Sequence, residues 1–252
     1  MRSDLYTAAQ GLVARQRYLD VVANNIANMS TTGYRSTQPF FRVFNEAVEE
    51  GPRNVLNAAS NNQPIAAGVF FHNRPGVHKE TGQTFDLAIE GEGFFKVQTP
   101  FGKRYTRNGN FKLQPENDRT GVLVTAQGYQ LLDRNDRPMR VDLLAAQTYI
   151  NENGDVIQDG VNRTRVVVVD FQDKGALSPE EDTLLVMQDP QAQEQLVQGA
   201  VRSGYLETSN VNIAQEMINM IQAQRNFETN SRAIRTIDTG MNQTAIQGLG
   251  PR

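Results

Sequence analysis

A seven-residue apolar repeat near the C-terminus is the feature that most constrains how this chain can fold. Between residues 210 and 247, large apolar side chains recur seven positions apart, and other apolar residues fall three or four positions from them. This spacing is typical of a helix that presents one narrow stripe to a partner, in a coiled coil or in a helical bundle. The stripe is formed by Ile213, Met217, Met220, Phe227, Ile234 and Met241.

The N-terminal region carries a repeat of the same period, formed by Leu5, Leu12, Leu19 and Ile26. Ser3 is a plausible N-cap, so we predict a helix from there to about Ala27. A C-terminal helix of about 35 residues spans about 50 Å, which is more than this shorter helix can cover. The rest of the stripe is therefore buried by the middle of the chain or by other copies of the protein. An ordinary intramolecular hairpin of two helices is the alternative.

Three asparagines stand close to the end of the N-terminal helix, at Asn24, Asn25 and Asn28. Asparagine competes for backbone hydrogen bonds and is costly in an isolated helix. We interpret the three as side chains that form lateral hydrogen bonds in a packed interface. The alternative is a long C-cap that ends with Gly33 in the left-handed conformation.

The middle of the chain changes to a period of two. Between residues 83 and 205, apolar residues alternate with polar ones, and Gly and Asn-Gly pairs punctuate the pattern. Hairpin turns are predicted at residues 108–109 and 153–154, and residues 165–171 are predicted to form a fully buried strand. These features predict an antiparallel β-sandwich or irregular barrel.

The fold class predicted from these patterns is α+β, with N- and C-terminal helices in a coiled-coil or bundle domain and a central β-rich domain. Residues 1–35 are assigned to the N-terminal helix and residues 206–252 to the C-terminal helix. Residues 36–82 have no clear period and are predicted to form an irregular extension or a linker, and residues 83–205 form the β-rich core.

Composition and charge exclude several classes of function. The net charge of −3 argues against nucleic acid or an anionic membrane as the main partner. Cysteine is absent, which excludes disulfides, thiolate metal sites and a cysteine nucleophile. The N-terminal region lacks the continuous apolar core of a secretory signal, and the β-branched run at residues 166–169 is too short to cross a bilayer. We therefore expect no membrane insertion.

The sequence contains no convincing catalytic, cofactor-binding or metal-binding motif. The glycines of residues 91–93 lack the following helix of a dinucleotide loop. Residues 151–155 resemble the start of a calcium loop, but the required glycine and glutamate positions hold Val156 and Asn162. Glu90 and Glu92 could share one face of a strand at about 7 Å, so a peptidoglycan- or glycan-cleaving enzyme remains the alternative from another class.

Two long segments resemble the signatures of a known family. Residues 19–35, LDVVANNIANMSTTGYR, resemble the N-terminal signature of the flagellar basal-body rod and hook protein family. The segments GYLETSNVN (204–212) and MINMIQAQRNFE (217–228) resemble its C-terminal signature. Between them, DLAIEGEGFF (86–95) and YTRNGNF (105–111) resemble its β-rich core domain, so the similarity extends over most of the chain.

The resemblance implies a structural subunit, without enzymatic activity or cofactor, that polymerises through its terminal helices into the tubular flagellar rod. It implies as partners copies of the protein itself, other rod proteins, the hook protein, the surrounding bushing ring and the flagellar type III export apparatus. It also implies a place in the periplasm-spanning rod, reached by export without a cleaved signal peptide. Residues 4–11 look most like proximal rod members, whereas residues 207–212 are equally similar to the distal rod member.

The expected subunit interface combines the two apolar stripes with the three asparagines. Its members are Leu5, Leu12, Leu19, Ile26, Asn24, Asn25, Asn28, Ile213, Met217, Met220, Phe227, Ile234 and Met241. Since each helix has little partner surface within one chain, these side chains are expected to be buried mainly on assembly, in contacts that generate a helical filament.

Overall fold

The computed structural model describes residues 2–44, 63–180, 183–189, 192–197 and 201–248. It is an α+β structure in which a long helix at each end flanks a region of short strands. The helices are α1 (Arg2–Ala27) and α2 (Ile213–Gly248). The strands are β1 (Thr37–Phe44), β2 (Gln63–Phe71), β3 (His78–Glu80), β4 (Leu87–Ile89), β5 (Phe94–Thr99), β6 (Gly102–Thr106), β7 (Lys112–Pro115), β8 (Thr120–Val124), β9 (Gln130–Leu131), β10 (Arg140–Asp142), β11 (Thr148–Ile150), β12 (Asp155–Gln158), β13 (Val161–Arg165), β14 (Val168–Phe171), β15 (Leu177–Pro179), β16 (Leu184–Met187), β17 (Glu194–Val197), β18 (Val201–Ser203) and β19 (Tyr205–Glu207).

Both helices predicted from the seven-residue repeats are confirmed. The predicted N-cap at Ser3 is wrong, because α1 already includes Arg2, whereas its predicted end at Ala27 is confirmed. Helix α2 is capped by Asn212, whose Oδ1 accepts a hydrogen bond from the Gln215 amide at 3.2 Å. This side-chain acceptor satisfies an amide that has no partner within the first turn of the helix.

The chain divides into two compact units. One unit, the helical unit, contains residues 1–27, 37–69 and 212–252. The other, the β-rich unit, contains residues 28–36 and 70–211. The β-rich unit therefore includes both segments that connect the strands to the helices.

In the helical unit, α1 contacts both α2 and β1. Strands β1 and β2 pair with each other, and β3 lies further along the same stretch of the chain. The prediction that residues 36–82 are irregular is therefore wrong for the part that the structure describes. Valine and phenylalanine are good strand formers, and they outweigh the lack of a clear period in this segment. Residues 45–62 of the predicted extension lie outside the described residues.

The β-rich unit is built on one ten-stranded antiparallel sheet. Its main strand order is β10-β8-β9-β5-β6-β16-β15, with β14 joining β5 to β17 and with β7 paired to β8. A three-stranded sheet has the order β11-β12-β13, and two smaller sheets pair β18 with β4 and β19 with β3.

Strand β5 is buried on both of its faces. Phe95 packs edge-on against Phe111, with ring centroids 5.3 Å apart, within one apolar cluster. The preceding residue, Phe94, packs edge-on against Phe71 at 6.2 Å within a second cluster. Since successive side chains of a strand point to opposite faces, the two clusters lie on opposite sides of β5.

Of the two predicted Asn-Gly hairpin turns, one is confirmed and one is wrong. Residues 151–154 connect β11 to β12, which pair antiparallel, and Gly154 has a positive φ of 80°. Residues 108–109 do not connect a hairpin, because β6 pairs with β5 and β16, whereas β7 pairs with β8. The Gly109 carbonyl instead accepts a hydrogen bond from the Leu87 amide at 3.0 Å.

The prediction of one fully buried strand at residues 165–171 is confirmed for the burial of most of the segment and is wrong for the single strand, because the segment is divided between two sheets. Residues 166–169 and Phe171 are all buried. Arg165 ends β13 of the three-stranded sheet, whereas Val168 begins β14 of the large sheet. The run therefore connects two sheets, and its first residue, Arg165, is exposed and lies outside the core.

We expect Gly109→Ala to destabilise the β-rich unit by about 3 kcal/mol, at the upper end of the cost of overpacking. A Cβ atom at this position would stand 1.6 Å from the Leu87 carbonyl oxygen, so the two backbone segments would have to separate. Gly128→Ala is the control, since its Cβ would meet no atom within 4 Å and only its positive φ is unfavourable. That change should cost about 1 kcal/mol. Urea unfolding followed by near-UV circular dichroism gives both values, and equal losses would contradict the close approach of Gly109 to Leu87.

Candidate functional site

The predicted interface residues of α1 lie where the helix meets its neighbours in the helical unit. Leu12, Leu19 and Ile26 are all half-buried, and Val22, between them, is buried. The side chain of Leu5 lies outside the described residues. The N-terminal stripe is thus partly covered within a single chain.

The predicted interface residues of α2 separate into two groups. Met220, Phe227 and Ile234 are half-buried, and Ala223 on the same stripe is buried. Ile213 and Met217 are instead exposed, and the side chain of Met241 lies outside the described residues. The seven-residue repeat therefore describes one face of α2, which is partly covered from Met220 onward and exposed at Ile213 and Met217 in the first turns.

The exposed residues belong to an apolar patch on the first turns of α2. We call this the α2 patch, and it consists of Ile213, Met217, Ile218 and Ile221, each 40–51 % exposed. Residues three and four apart lie side by side on a helix, so these side chains form one continuous surface. Sequence reasoning missed Ile218 and Ile221 because they do not fall on the seven-residue stripe.

Of the three predicted asparagines, Asn25 is the buried one, and it forms hydrogen bonds within one chain. Its Nδ2 donates to the Thr37 carbonyl at 2.9 Å, and its Oδ1 accepts from the Thr37 amide at 2.9 Å. The same Nδ2 lies 3.4 Å from Glu216 Oε1 on α2. Asn25 therefore connects α1, β1 and α2. Asn24 is exposed, and the Oδ1 of Asn28 accepts from the Thr31 hydroxyl at 3.1 Å.

A buried carboxylate in the β-rich unit holds together segments from both ends of the chain. Glu207 Oε1 lies 2.9 Å from Arg35 Nη2 and accepts a hydrogen bond from the Gly76 amide at 2.9 Å. The backbone carbonyl of Glu207 accepts a further hydrogen bond from the Gly33 amide at 2.8 Å. The side chains of Arg35 and Glu207 are 4 % and 1 % exposed. We call Arg35, Arg107 and Glu207 the Glu207 cluster.

Arg107 is the second arginine of this cluster. Its Nη1 donates to Glu207 Oε2 at 3.1 Å, and its Nη2 donates to the Gly91 carbonyl at 2.6 Å. Its guanidinium also lies over the Phe94 ring, 5.5 Å from the centroid. Arg107 therefore fixes Glu207 to the large sheet through hydrogen bonds, charge and a cation–π contact.

The Glu207 cluster is buried and carries a net positive charge. Burial lowers the pKa of the Arg35 guanidinium to about 10, against the opposite effect of Glu207. Burial likewise lowers the pKa of Arg107. Both groups stay charged at neutral pH, so Glu207 compensates two buried cations at once. Among the described residues, Arg35 Nε and Nη1 have no hydrogen-bond partner, so the ion pair is the main interaction that holds this side chain.

Asn210 makes a second connection between the same segments. Its Oδ1 accepts from the Ser36 amide at 2.7 Å, and its Nδ2 donates to the carbonyls of His72 and Arg74 at 3.0 and 2.8 Å. The side-chain amide of Asn210 thus forms hydrogen bonds with the backbone of two other segments. Residues 33–36, 72–76 and 207–210 are thereby fastened to one another.

The cluster could have been found from the sequence only in part. Arg35, Arg107 and Glu207 each stand within one of the segments that carry the family resemblance. The same segments also contain exposed charged residues, such as Glu90 and Glu92, so a motif alone does not identify a buried charge. The pairing itself joins positions far apart in the sequence, and no periodicity reports such a contact.

The arrangement of Glu90 and Glu92 does not favour glycan cleavage. Both lie in the bend between β4 and β5 and not on one strand, as the sequence argument required. Glu90 pairs with Arg202 at 3.3 Å and Glu92 with Lys174 at 2.6 Å. The hydrogen bond from Lys174 lowers the pKa of Glu92, whereas a catalytic acid needs a raised pKa.

The loop at residues 151–155 is a turn held by its own side chains. Asn151 Oδ1 accepts from the amides of Asn153 and Asp155 at 3.0 and 2.9 Å, and Arg165 pairs with Asp155. Across the described residues, no group of three or more histidine, aspartate or glutamate side chains is placed to hold a metal ion. In that same part of the chain, no helix is long and apolar enough to span a membrane.

Three family models match the chain, in an order that follows the structure. The model described as "Flagella basal body rod protein" matches residues 5–35, on α1 and the segment that follows it. The "Flagellar hook protein FlgE/F/G D1 domain" matches residues 88–158, within the β-rich unit. The "Flagellar basal body rod FlgEFG protein C-terminal" model matches residues 202–247, which include Glu207 and α2.

Curated relatives extend the similarity to nearly the whole chain. The flagellar basal-body rod protein FlgG of Bacillus subtilis is 33 % identical over 257 aligned positions, which cover 94 % of this chain and 96 % of the relative. This chain belongs to the flagellar basal-body rod protein family. The FlgG protein of Borreliella burgdorferi is 32 % identical with the same coverage, and FlgF of Rhizobium meliloti is 30 % identical over 99 % of both chains.

For this rod-family protein we expect Glu207→Gln to lower the free energy of unfolding of the β-rich unit by about 3–5 kcal/mol. The change leaves two buried guanidinium groups without their counter-charge. Arg35→Met should cost less, because Glu207 keeps its contacts with Arg107 and Gly76. Urea unfolding followed by near-UV circular dichroism measures both changes.

Glu90→Gln is the matched control for this experiment. It makes the same chemical change in an ion pair whose two side chains, Glu90 and Arg202, are 59 % and 47 % exposed. Exposed pairs contribute at most about 1 kcal/mol, so this variant should unfold close to the wild type. If Glu207→Gln unfolded at the same urea concentration as Glu90→Gln, the Glu207 cluster would not be an important source of stability.

Proposed function

We propose that this protein is a structural subunit of the bacterial flagellar rod, which polymerises through its two terminal helices. In this proposal the helices of many copies bundle into the tubular drive shaft between motor and hook, and the β-rich unit forms an outer layer. The family relationship supports the class of function, and the α2 patch is the observation that supports the mode of assembly.

The α2 patch has the character of a protein interaction surface. Four large apolar side chains stand exposed within nine residues of one helix, and contiguous apolar surface of this kind marks interaction sites. Helix α1 contacts α2 and leaves the α2 patch exposed, so the apolar surface of α2 is wider than its own chain covers. A second copy of this chain is the occupant that the proposal names, because its helices carry the same seven-residue repeat.

A contact between the α2 patch and a different surface of the next copy is heterologous. Contacts of this type generate a helical filament when the rotation between copies does not close into a ring. The α2 patch and the adjoining half-covered stripe around Phe227 then form one wide apolar surface within a helical bundle. This arrangement is the coiled-coil or bundle domain expected from the sequence.

Within the rod we propose a proximal position, with the distal rod as the alternative. The FlgF relatives of Rhizobium meliloti and Caulobacter vibrioides align with this chain over 99 % of both lengths. The FlgG relative of Bacillus subtilis is slightly more identical, and it supports the alternative. Locating a tagged subunit in isolated basal bodies by electron microscopy separates the two positions.

The proposal also includes the partners and the route of delivery. Other rod proteins, the hook protein and the surrounding bushing ring are the proposed neighbours. The flagellar type III export apparatus is the proposed route to the periplasm-spanning part of the flagellum, without cleavage of a signal peptide. Among these proposed partners, copies of the same chain are the ones that bind the α2 patch.

We expect Ile221→Asp to abolish assembly of the purified protein and swimming of cells that carry only this variant. A carboxylate buried without a partner in an apolar contact costs at least about 3 kcal/mol, which corresponds to a loss of affinity of more than about 100-fold. Negative-stain electron microscopy and sedimentation measure the assembly of the subunit, and soft-agar spreading measures motility.

Asn226→Asp provides the control for this variant. It adds the same charge at an exposed position about 140° around the helix from Ile221, and no residue of the α2 patch lies three or four positions from it. This variant should assemble and support swimming. Normal assembly of Ile221→Asp would contradict the proposal, whereas failure of both variants would show that added charge anywhere on α2 is harmful.

A further inference from the structure

We infer that Met217 is a site of oxidative modification, at which a hydroperoxide converts an assembly-competent subunit into an incompetent one. The inference rests on the proposed function, because its consequence concerns the α2 patch as an assembly surface. It adds a chemical modification that controls that surface.

Methionine carries all of the oxidisable sulfur in this chain. Cysteine is absent, and the sequence contains seven methionines. Methionine sulfur is oxidised to the sulfoxide when an oxidant can reach it, and methionine sulfoxide reductases reverse the reaction. Any sulfur-based redox response of this protein must therefore act on a methionine.

The described methionines differ widely in access to solvent. Met217 is 51 % exposed, whereas Met139 is 0 % exposed in the core of the β-rich unit. Met220 stands one turn further along α2 and is half-buried on the stripe that faces α1. Met29 is 39 % exposed, but it lies outside both helices and outside the α2 patch. Of these four, Met217 alone is both exposed and part of the proposed assembly surface.

Because of the position of Met217, its oxidation should disrupt the α2 patch. It lies at the centre of the α2 patch, with Ile213 one turn before it and Ile221 one turn after it. The sulfoxide oxygen is a strong hydrogen-bond acceptor, and burying it against isoleucine side chains removes it from water without a donor. The flexible apolar side chain that would fill the contact becomes polar and chiral.

The reaction balances with a hydroperoxide such as hydrogen peroxide as co-reactant. The thioether sulfur attacks one peroxide oxygen, the O–O bond breaks, and a sulfur–oxygen bond forms. Sulfur loses two electrons to the peroxide, and the other oxygen leaves as water after proton transfer. Only an unassembled subunit presents this sulfur to solvent, so assembly should protect Met217.

The test treats the full-length monomer with hydrogen peroxide and follows each methionine by peptide mapping and mass spectrometry. We expect Met217 to be oxidised at least about tenfold faster than Met139, because access controls the reaction. The ability of the subunit to assemble should fall in step with oxidation of Met217. Treatment with methionine sulfoxide reductases should restore both the mass and the assembly.

Two variants assign the effect to one sulfur. Met217→Leu keeps an apolar side chain of similar size and should assemble equally well before and after peroxide treatment. Met29→Leu should remain as sensitive as the wild type, although it removes another exposed methionine. Oxidation of Met217 as slow as that of Met139, or loss of assembly by peroxide-treated Met217→Leu, would overturn the inference.

The failure of this inference can be distinguished from failure of the proposed function. If the untreated wild type assembles and Ile221→Asp does not, the assembly surface stands, and peroxide resistance of assembly overturns the role of Met217 alone. If Ile221→Asp assembles normally, the α2 patch is not an assembly surface, and both proposals fall together.

Discussion

The β-rich unit depends on one buried carboxylate between two arginines. Glu207 receives Arg35 from the segment that follows α1 and Arg107 from the large sheet, and its own strand leads to α2. The desolvation of such charges is expensive, and it is offset only when all partners are in place. The segments that lead to both helices are therefore fixed together to the sheet by this ion-pair cluster. Asn210 supports the same geometry through neutral hydrogen bonds, which do not depend on the charge balance.

How far the sequence predicts this structure depends on the range of each interaction. The seven-residue repeats identify α1 and α2 because helix periodicity is local, and the end of α1 at Ala27 follows from the same pattern. Turn preferences are also local, yet they predict the hairpin turn correctly at Gly154 and wrongly at Gly109. At Gly154 the two neighbouring strands pair with each other, whereas at Gly109 the glycine lets the backbone of Leu87, in a different sheet, approach closely. The sequence pattern alone does not show whether a glycine is required by a hairpin turn or by the close approach of another backbone segment.

The prediction of the candidate sites also depends on whether an interaction is local or long-range. Met220, Phe227 and Ile234 were identified on the covered stripe of α2, while Ile218 and Ile221 were missed because they stand outside the repeat. The repeat marks residues at seven-residue spacing, so it does not show how far the apolar surface extends around the first turns of the helix. The Glu207 cluster was missed for a different reason. Each of its residues is visible in a recognisable segment, but the contact that gives them their role is long-range and has no period.

The Glu207 cluster also has a consequence for the order in which the molecule can fold. Arg35 lies near the beginning of the chain and Glu207 near its end, so closing this ion pair encloses most of the sequence in one loop. The entropy lost in forming so long a loop is recovered only when the sheet between the two residues is already folded. In a chain that emerges N-terminus first, the segment after α1 therefore cannot form its ion pair with Glu207 until most of the chain has emerged. The same carboxylate that stabilises the finished subunit therefore makes its ion pair with Arg35 a late contact in folding.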